Sequence, residues 1–262
     1  MIVEGYFVRY KDAVWAVKGC FHPEGHVVAV PRVIGNLKLK TMEASLKVVR
    51  ERFPNLLRYI EEIGFEVPII PLDSAEILDP FKVKYPEKVK GMLKRLINVG
   101  ITGSYLYQGN GEDIDFLSFD PKNYAILKDL RNEEITSPLD IVNENEVEGL
   151  ELQDFLALKK RRLLEGKYNG IPYTFKIVEC ERFGKVIKKH FFKGRLKIVK
   201  AIKPFSIPVK YLTDQGLVLT SFRTRFTELH EGTSLDISGL VMEREDFNDL
   251  DLDIAHVKLL YS

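Results

Sequence analysis

The segment Val99-Gly100-Ile101-Thr102-Gly103-Ser104, followed after a short polar loop by Asp113-Ile114-Asp115-Phe116-Leu117, constrains the fold more than any other part of the chain. Its second half alternates acidic and apolar residues, the two-residue period of a strand with one buried face. Successive strand side chains point to opposite faces, so Asp113 and Asp115 share a face while Ile114 and Phe116 pack behind them. Two carboxylates held side by side repel, and a hard divalent cation relieves that repulsion while keeping water and phosphate oxygens as its other ligands. Gly103 has no Cβ to keep a phosphate from the backbone, and Ser104 with the amides after it offers hydrogen bonds to phosphate oxygens.

This Gly-Ser, loop, Asp-x-Asp order resembles the DNA polymerase beta-type nucleotidyltransferase superfamily, matched at Gly103, Ser104, Asp113 and Asp115. More narrowly, the chain is similar to a group of archaeal predicted nucleotidyltransferases. That likeness is carried by Glu4-Gly5-Tyr6-Phe7-Val8, His22-Pro23, Ile101-Thr102-Gly103-Ser104, Ser221-Phe222-Arg223-Thr224-Arg225-Phe226 and Glu231-Gly232. The resemblance implies that Gly103 and Ser104 hold a nucleoside triphosphate (NTP). It also implies that Asp113 and Asp115 bind Mg²⁺ or Mn²⁺ in a two-metal displacement at the α-phosphorus, with pyrophosphate leaving. A third carboxylate is expected from a later neighbouring strand. Glu179, ending the apolar-rich run from Tyr173, is the best candidate, and Asp140 and Asp154 are weaker ones. The chain departs from many members of the family in having Gln108-Gly109 in the loop and Glu112 before the first acid.

At 262 residues, 45% of them apolar, the chain has room for two or three cored units. No apolar run reaches the length of a membrane helix, and Met1-Ile2-Val3 reads as a strand start instead of a leader, so no membrane partner and a cytoplasmic location are expected. Cys20 and Cys180 lie far apart among apolar neighbours and read as two buried thiols. Abundant Lys and Glu with only three glutamines fit a thermophile.

Three short alternating runs, at residues 6–10, 13–17 and 26–30, predict antiparallel strands. The helical spacing from Met42 onward, with Pro54 starting a second segment, predicts two helices over that sheet. A connection around residues 67–85 leads to a helix over 86–98 that delivers the chain into the Gly-Ser turn. Residues 121–145 are polar and turn-rich. Residues 150–165 read as an amphipathic helix with a basic end at Lys159-Lys160-Arg161-Arg162, either a solvated face or a phosphate-binding one. The last eighty or so residues carry five or more short strands between glycine and proline turns, as in a small closed barrel of the oligonucleotide-binding type.

The net charge is only +1, yet no acid occurs between Glu181 and Asp214, where Lys188, Lys189, Lys193, Arg195 and Lys197 accumulate beside Phe191, Phe192, Phe205 and Tyr211. Cations for a phosphate backbone and rings for bases make a nucleic-acid surface, which Arg223 and Arg225 on one strand face would extend. The other reading is a barrel whose rings face inward and whose lysines face water. Glu243, Glu245, Asp246, Asp249, Asp251 and Asp253 read as a solvated acidic loop. Cys20, His22 and His26 lack a second pair at zinc spacing and read as structural.

The expected fold is α/β (α+β): an N-terminal αβ domain at residues 1–85, a nucleotidyltransferase core at 86–182 and a C-terminal antiparallel, OB-like β-barrel at 183–262. The expected function is Mg²⁺-dependent transfer of a nucleoside monophosphate from an NTP to a hydroxyl, with RNA or tRNA as acceptor. The alternatives are a non-catalytic nucleic-acid-binding protein on the same fold, or modification of a protein side chain, against which the basic stripe argues.

Overall fold

The computed structural model describes residues 1–139, 147 and 149–260 and shows a mixed α+β fold built mostly from three sheets that follow one another along the chain. The first contains β1 (Phe7–Tyr10), β2 (Ala13–Val17), β3 (His26–Ile34), β4 (Leu37–Lys38), β5 (Leu57–Ile60), β6 (Phe65–Pro71) and β7 (Glu76–Leu78). Its spatial order is β5-β6-β3-β2-β1-β7, with β4 on β3. The three strands expected from alternation are β1 to β3. One helix, α1 (Met42–Arg52), covers the sheet, capped by Thr41 accepting from the Ala44 amide at 3.1 Å. The second expected helix is absent. Pro54–Leu56 forms a single 3-10 turn, after which Leu57, Arg58, Tyr59 and Ile60 alternate as β5 and pair with β6. Gly64, at φ 78°, turns the chain between the two strands. The expected connection at 67–85 likewise contains most of β6 and all of β7.

The second sheet comprises β8 (Val99–Thr102), β9 (Ile114–Ser118), β10 (Thr136–Ser137), β11 (Glu165–Tyr168) and β12 (Ile171–Ile177), ordered β10-β11-β12-β9-β8. β8 runs antiparallel to β9, and β12 runs parallel to it. The helix expected over 86–98 shrinks to a 3-10 turn and α2 (Lys90–Leu93). The Tyr168 hydroxyl occupies the space where a Cβ on Gly91 would stand, and Asn98 has a positive φ of 45°, which no continuing helix allows. α3 (Gly103–Gln108) follows β8. α4 (Asn123–Asn132) lies within the stretch read as polar and turn-rich, since it buries only Leu127, Leu130 and the hydrogen-bonded Asn123.

The third sheet holds β13 (Val186–Lys203), β14 (Val209–Thr213), β15 (Val218–Ser221), β16 (Ser234–Arg244), β17 (Asn248–Asp251) and β18 (His256–Leu260). The pairing runs β13-β14-β15-β17-β16 and returns to β13, closing a five-strand ring with β18 on its flank. α5 (Leu152–Arg161) belongs to this unit although it precedes β11. Its Phe155 and Leu158 are buried with Leu196, Val209, Leu219 and Leu235 inside the ring. The helix is shorter than expected because Arg162 leaves helical geometry and Glu165 and Gly166 open β11.

The acidic C-terminal stretch is not a solvated loop. Asp249 is fully buried on β17, 2.6 Å from Arg244 and 2.8 Å from the Thr220 hydroxyl, and Asp253 accepts from the Phe222 amide at 2.8 Å. Cys20 and Cys180 are not free thiols but a disulfide joining the loop after β2 to the end of β12. Distance in sequence says nothing about separation here: Cys20 packs in the small cluster of Val3, Leu117, Val178 and Ile207, and Cys180, two residues beyond Val178, reaches it from the exposed side. Among the described residues no helix is long and apolar enough to cross a membrane.

Candidate active site

The first and second sheets meet at a cleft of about 500 Å³, and the residues that close it come from both. Gly5, at φ 99°, sits so close to Leu117 that a Cβ would stand 2.7 Å from its Cδ2. The Thr102 hydroxyl donates to the Gly5 carbonyl. The disulfide ties the same two layers together further along.

On the floor, β8 leads directly into the Gly103-Ser104 turn. Gly103 has φ 63°, and a Cβ there would lie 1.9 Å from Asp115 Oδ2, so the carboxylate packs against bare backbone that only glycine leaves open. Gly111 plays the same part across the loop, where a Cβ would come within 2.6 Å of Ser104 Oγ. Thr102 is in register with Asp115 across the β8/β9 pair. Ile114 and Phe116 are fully buried behind the sheet, while Asp113 and Asp115 face the cleft. Gly103, Ser104, Asp113 and Asp115 are thus brought together, as the two-residue period requires.

The third carboxylate is not among them. Parallel register places Thr174 of β12 beside Asp115, and Lys176 follows two residues later on the same face, whereas Tyr173, Phe175 and Ile177 point into the core. Glu179 has the parity of the core face and lies beyond the end of β12. Its amide donates to Ile207 and its carbonyl accepts from Lys203, and it does not line the cleft. Asp154 is buried in the ring unit, accepting from the Leu259 amide at 2.8 Å, and Asp140 lies outside the described residues. Among the described residues no group of three His, Cys, Asp or Glu side chains is placed to hold a metal ion. Asp113 and Asp115 by themselves fit one hard cation, since Mg²⁺ is commonly held by one or two carboxylates plus phosphate and water.

Sequence reasoning missed the opposite wall. Glu4, 1% exposed, lies between Lys176 Nζ at 3.1 Å and Lys18 Nζ at 3.4 Å, and accepts from the Gly19 amide at 3.0 Å. Burial alone would raise its pKa, but Lys18, Lys176 and the Gly19 amide outweigh it and bring the carboxyl from 4.5 to about 2. Lys18 moves down to about 8, because burial and the neighbouring Arg32, Lys176 and Arg223 exceed the attraction of Glu4. Lys18, Arg32, Lys38, Lys40 and Lys176 line the cleft against Glu4, Asp113 and Asp115, so its walls carry more positive than negative charge. A lone acid among Ile2, Val3, Tyr6 and Phe7 was the signal available for Glu4. Tyr107 also lines the cleft, its pKa raised by burial and then by Asp115 and Asp113.

The basic stripe on β13 is largely engaged. Lys188 lies 3.8 Å from Glu243, Lys189 donates to the Gly64 carbonyl and covers Phe65, and Arg195 meets Asp236 at 3.2 Å. Asp214 accepts from the backbone amide of Lys197, a contact that does not involve the lysine ammonium. Lys193 and Arg195 line a shallow depression of about 830 Å³ with His256 and Lys258. Of the rings, Tyr211 is fully buried, Phe205 stacks on Tyr124, Phe192 packs on the ring core and Phe191 stays exposed. Arg223 and Arg225 do not share a strand face. They flank Thr224 in a 3-10 turn after β15, with Arg223 4.0 Å from Asp253. At the end of α5, Lys159 and Arg162 are buried against Glu165 instead of facing solvent. The ring of His22 bonds the Ile2 carbonyl and the Val28 amide, and that of His26 the Glu24 carbonyl, both structural contacts.

No protein-family model matches the chain, and no curated protein and no solved structure shows significant similarity to it.

Proposed function

We propose that this chain is a nucleotidyltransferase that moves a nucleoside monophosphate from an NTP to a hydroxyl acceptor, RNA or tRNA, releasing pyrophosphate. The observation that carries the reading is the packing of Asp115 against Gly103, beside Asp113 and Ser104, in a cleft whose other walls are basic. An antiparallel β8/β9 pair with β12 parallel beside it suits the core of the polymerase beta-type superfamily, and the five-strand ring suits an OB-like barrel. Residues 1–85, 86–182 and 183–262 then form three domains, except that α5 packs with the last. A cytoplasmic, thermophilic setting completes the reading. A disulfide is compatible with it, because intracellular proteins of hyperthermophiles are often rich in disulfides.

In this reading the acceptor oxygen bonds the α-phosphorus while the bond to the bridging oxygen breaks. Pyrophosphate leaves with that electron pair, and the hydroxyl proton passes to water. Asp113 and Asp115 would hold Mg²⁺ or Mn²⁺, which when bound supplies neutralisation of phosphate charge. Gly103 gives the Asp115 carboxylate its place against the backbone, Ser104 offers a hydroxyl donor, and the basic wall orients the triphosphate. Lys188, Lys189, Lys193, Arg195, Lys197, Arg223 and Arg225 remain the proposed RNA surface, of which Lys188, Arg195 and Arg223 already face acids within the protein.

A second reading, a non-catalytic nucleic-acid-binding protein on this fold, is favoured by one observation: Glu179 does not line the cleft, and the face of β12 beside the two acids presents Thr174 and Lys176. The deciding experiment is transfer of label from each α-labelled NTP into RNA, small acceptors or protein with Mg²⁺ or Mn²⁺. Incorporation abolished by Asp113→Asn/Asp115→Asn supports the enzyme. Salt-sensitive RNA binding retained by that variant, with no incorporation, supports the binding protein.

A further inference from the structure

The strand beside the two acids brings no third carboxylate to the cleft and presents instead a cation that is itself fixed. Lys176 stands two residues beyond Thr174, the register partner of Asp115 on β12, and its ammonium is held 3.1 Å from Glu4 Oε1. The same oxygen holds Lys18 Nζ at 3.4 Å, and the other takes the Gly19 amide. One buried carboxylate between two ammonium groups leaves a net positive charge on the trio. Both lysines remain about a quarter exposed, and both line the cleft with Asp113 and Asp115.

An ammonium there opposes a second divalent cation and offers instead what a phosphate accepts, a point charge with rotatable donors. We infer that the cleft holds its triphosphate with a single divalent cation at Asp113 and Asp115, and that Lys18 and Lys176 contact the phosphate oxygens directly. This inference rests on the nucleotidyl-transfer reading. Glu4 is too buried to touch substrate; it is a positioning residue that aims both ammonium groups into the cleft.

The test measures binding and metal count. ATP, GTP, CTP and UTP are titrated calorimetrically into the full chain in EDTA and then in Mg²⁺, and Mn²⁺ is counted by electron paramagnetic resonance at saturating nucleotide. The expected result is one Mn²⁺ per complex, with triphosphate binding that survives EDTA. Lys176→Met and Lys18→Met should each weaken that binding by about tenfold or more, the loss of one charge-assisted contact, without changing the Mn²⁺ count. Lys176→Arg should retain most of it. Two Mn²⁺ per complex, binding that vanishes in EDTA, or folded lysine variants that bind like the wild type would overturn the inference and leave the nucleotide reading standing. If no triphosphate binds with or without cation, both fall. If a lysine variant does not fold, the metal count and the EDTA titration of the unaltered protein still test the inference.

Discussion

Replacing Glu4 with glutamine removes the negative charge from the lysine-bridged carboxylate while keeping its shape. The carboxyl pKa moves from 4.5 to about 2, so at neutral pH its ionised form contributes about 3 kcal/mol, at about 1.4 kcal/mol for each tenfold change in proton affinity. That figure is an upper value, because Lys18 and Lys176 are about a quarter exposed and water can partly solvate them after the change. The pH dependence carries the diagnostic sign. Because the folded pKa lies below the unfolded one, the unfolded chain takes up the proton first as the solution is acidified. The stabilisation is therefore complete well above pH 4.5, declines below it, and is lost as pH falls through about 2. Urea unfolding of wild type and Glu4→Gln at pH 7 should differ by about 3 kcal/mol, and at pH 3 by only about 1 kcal/mol, since glutamine mimics the protonated acid. Taking the difference between the two proteins cancels the titration of every other acid. Equal stabilities at pH 7, or a gap that stays constant down to pH 3, would refute the argument.

Three further outcomes are expected. Gly103→Ala places a methyl where Asp115 Oδ2 stands and a side chain at φ 63°; it should cost about 1–3 kcal/mol in thermal unfolding and abolish nucleotidyl transfer, and a fully active variant would contradict the assigned geometry. The Cys20–Cys180 disulfide closes a loop of sequence separation 160, for which chain entropy gives about 5 kcal/mol and native disulfides commonly about 2–5. Cys20→Ser/Cys180→Ser should therefore melt well below the wild type, and the wild type under reductant should melt alongside it. Lys18, facing Glu4, Lys176, Arg32 and Arg223, loses its proton near pH 8, so triphosphate affinity measured by calorimetry should fall as pH rises from 7 to 9. Lys18→Met should flatten that profile, and an unchanged slope would remove Lys18 from the phosphate contacts.

Local periodicity made much of this protein legible in advance. β1 to β3, the acid-apolar alternation of β9, the Gly-Ser turn ahead of it and the strand-rich final third all follow from side-chain order, because a strand places alternate residues on opposite faces whatever it pairs with. The same order misled at residues 57–60, where a short apolar run fits a helix or a strand and only pairing with β6 decides between them. α4 was hidden for the opposite reason: its buried face is so narrow that its polar residues dominate the composition.

The site divides in the same way. Gly103, Ser104, Asp113 and Asp115 are neighbours along one short passage from β8 through α3 to β9, so the sequence by itself determined that they meet. Only the tertiary structure decided what faces them. The parallel register of β12 on β9 sets Thr174 and Lys176 beside the acids and leaves Glu179 outside, and a shift of one residue would have exchanged the faces. Glu4 reaches Lys176 across 172 positions of chain, and Cys20 reaches Cys180 across 160. Such distant partners leave no periodic mark in the sequence, because strand pairing and layer packing depend on the whole set of buried surfaces that must be covered at once.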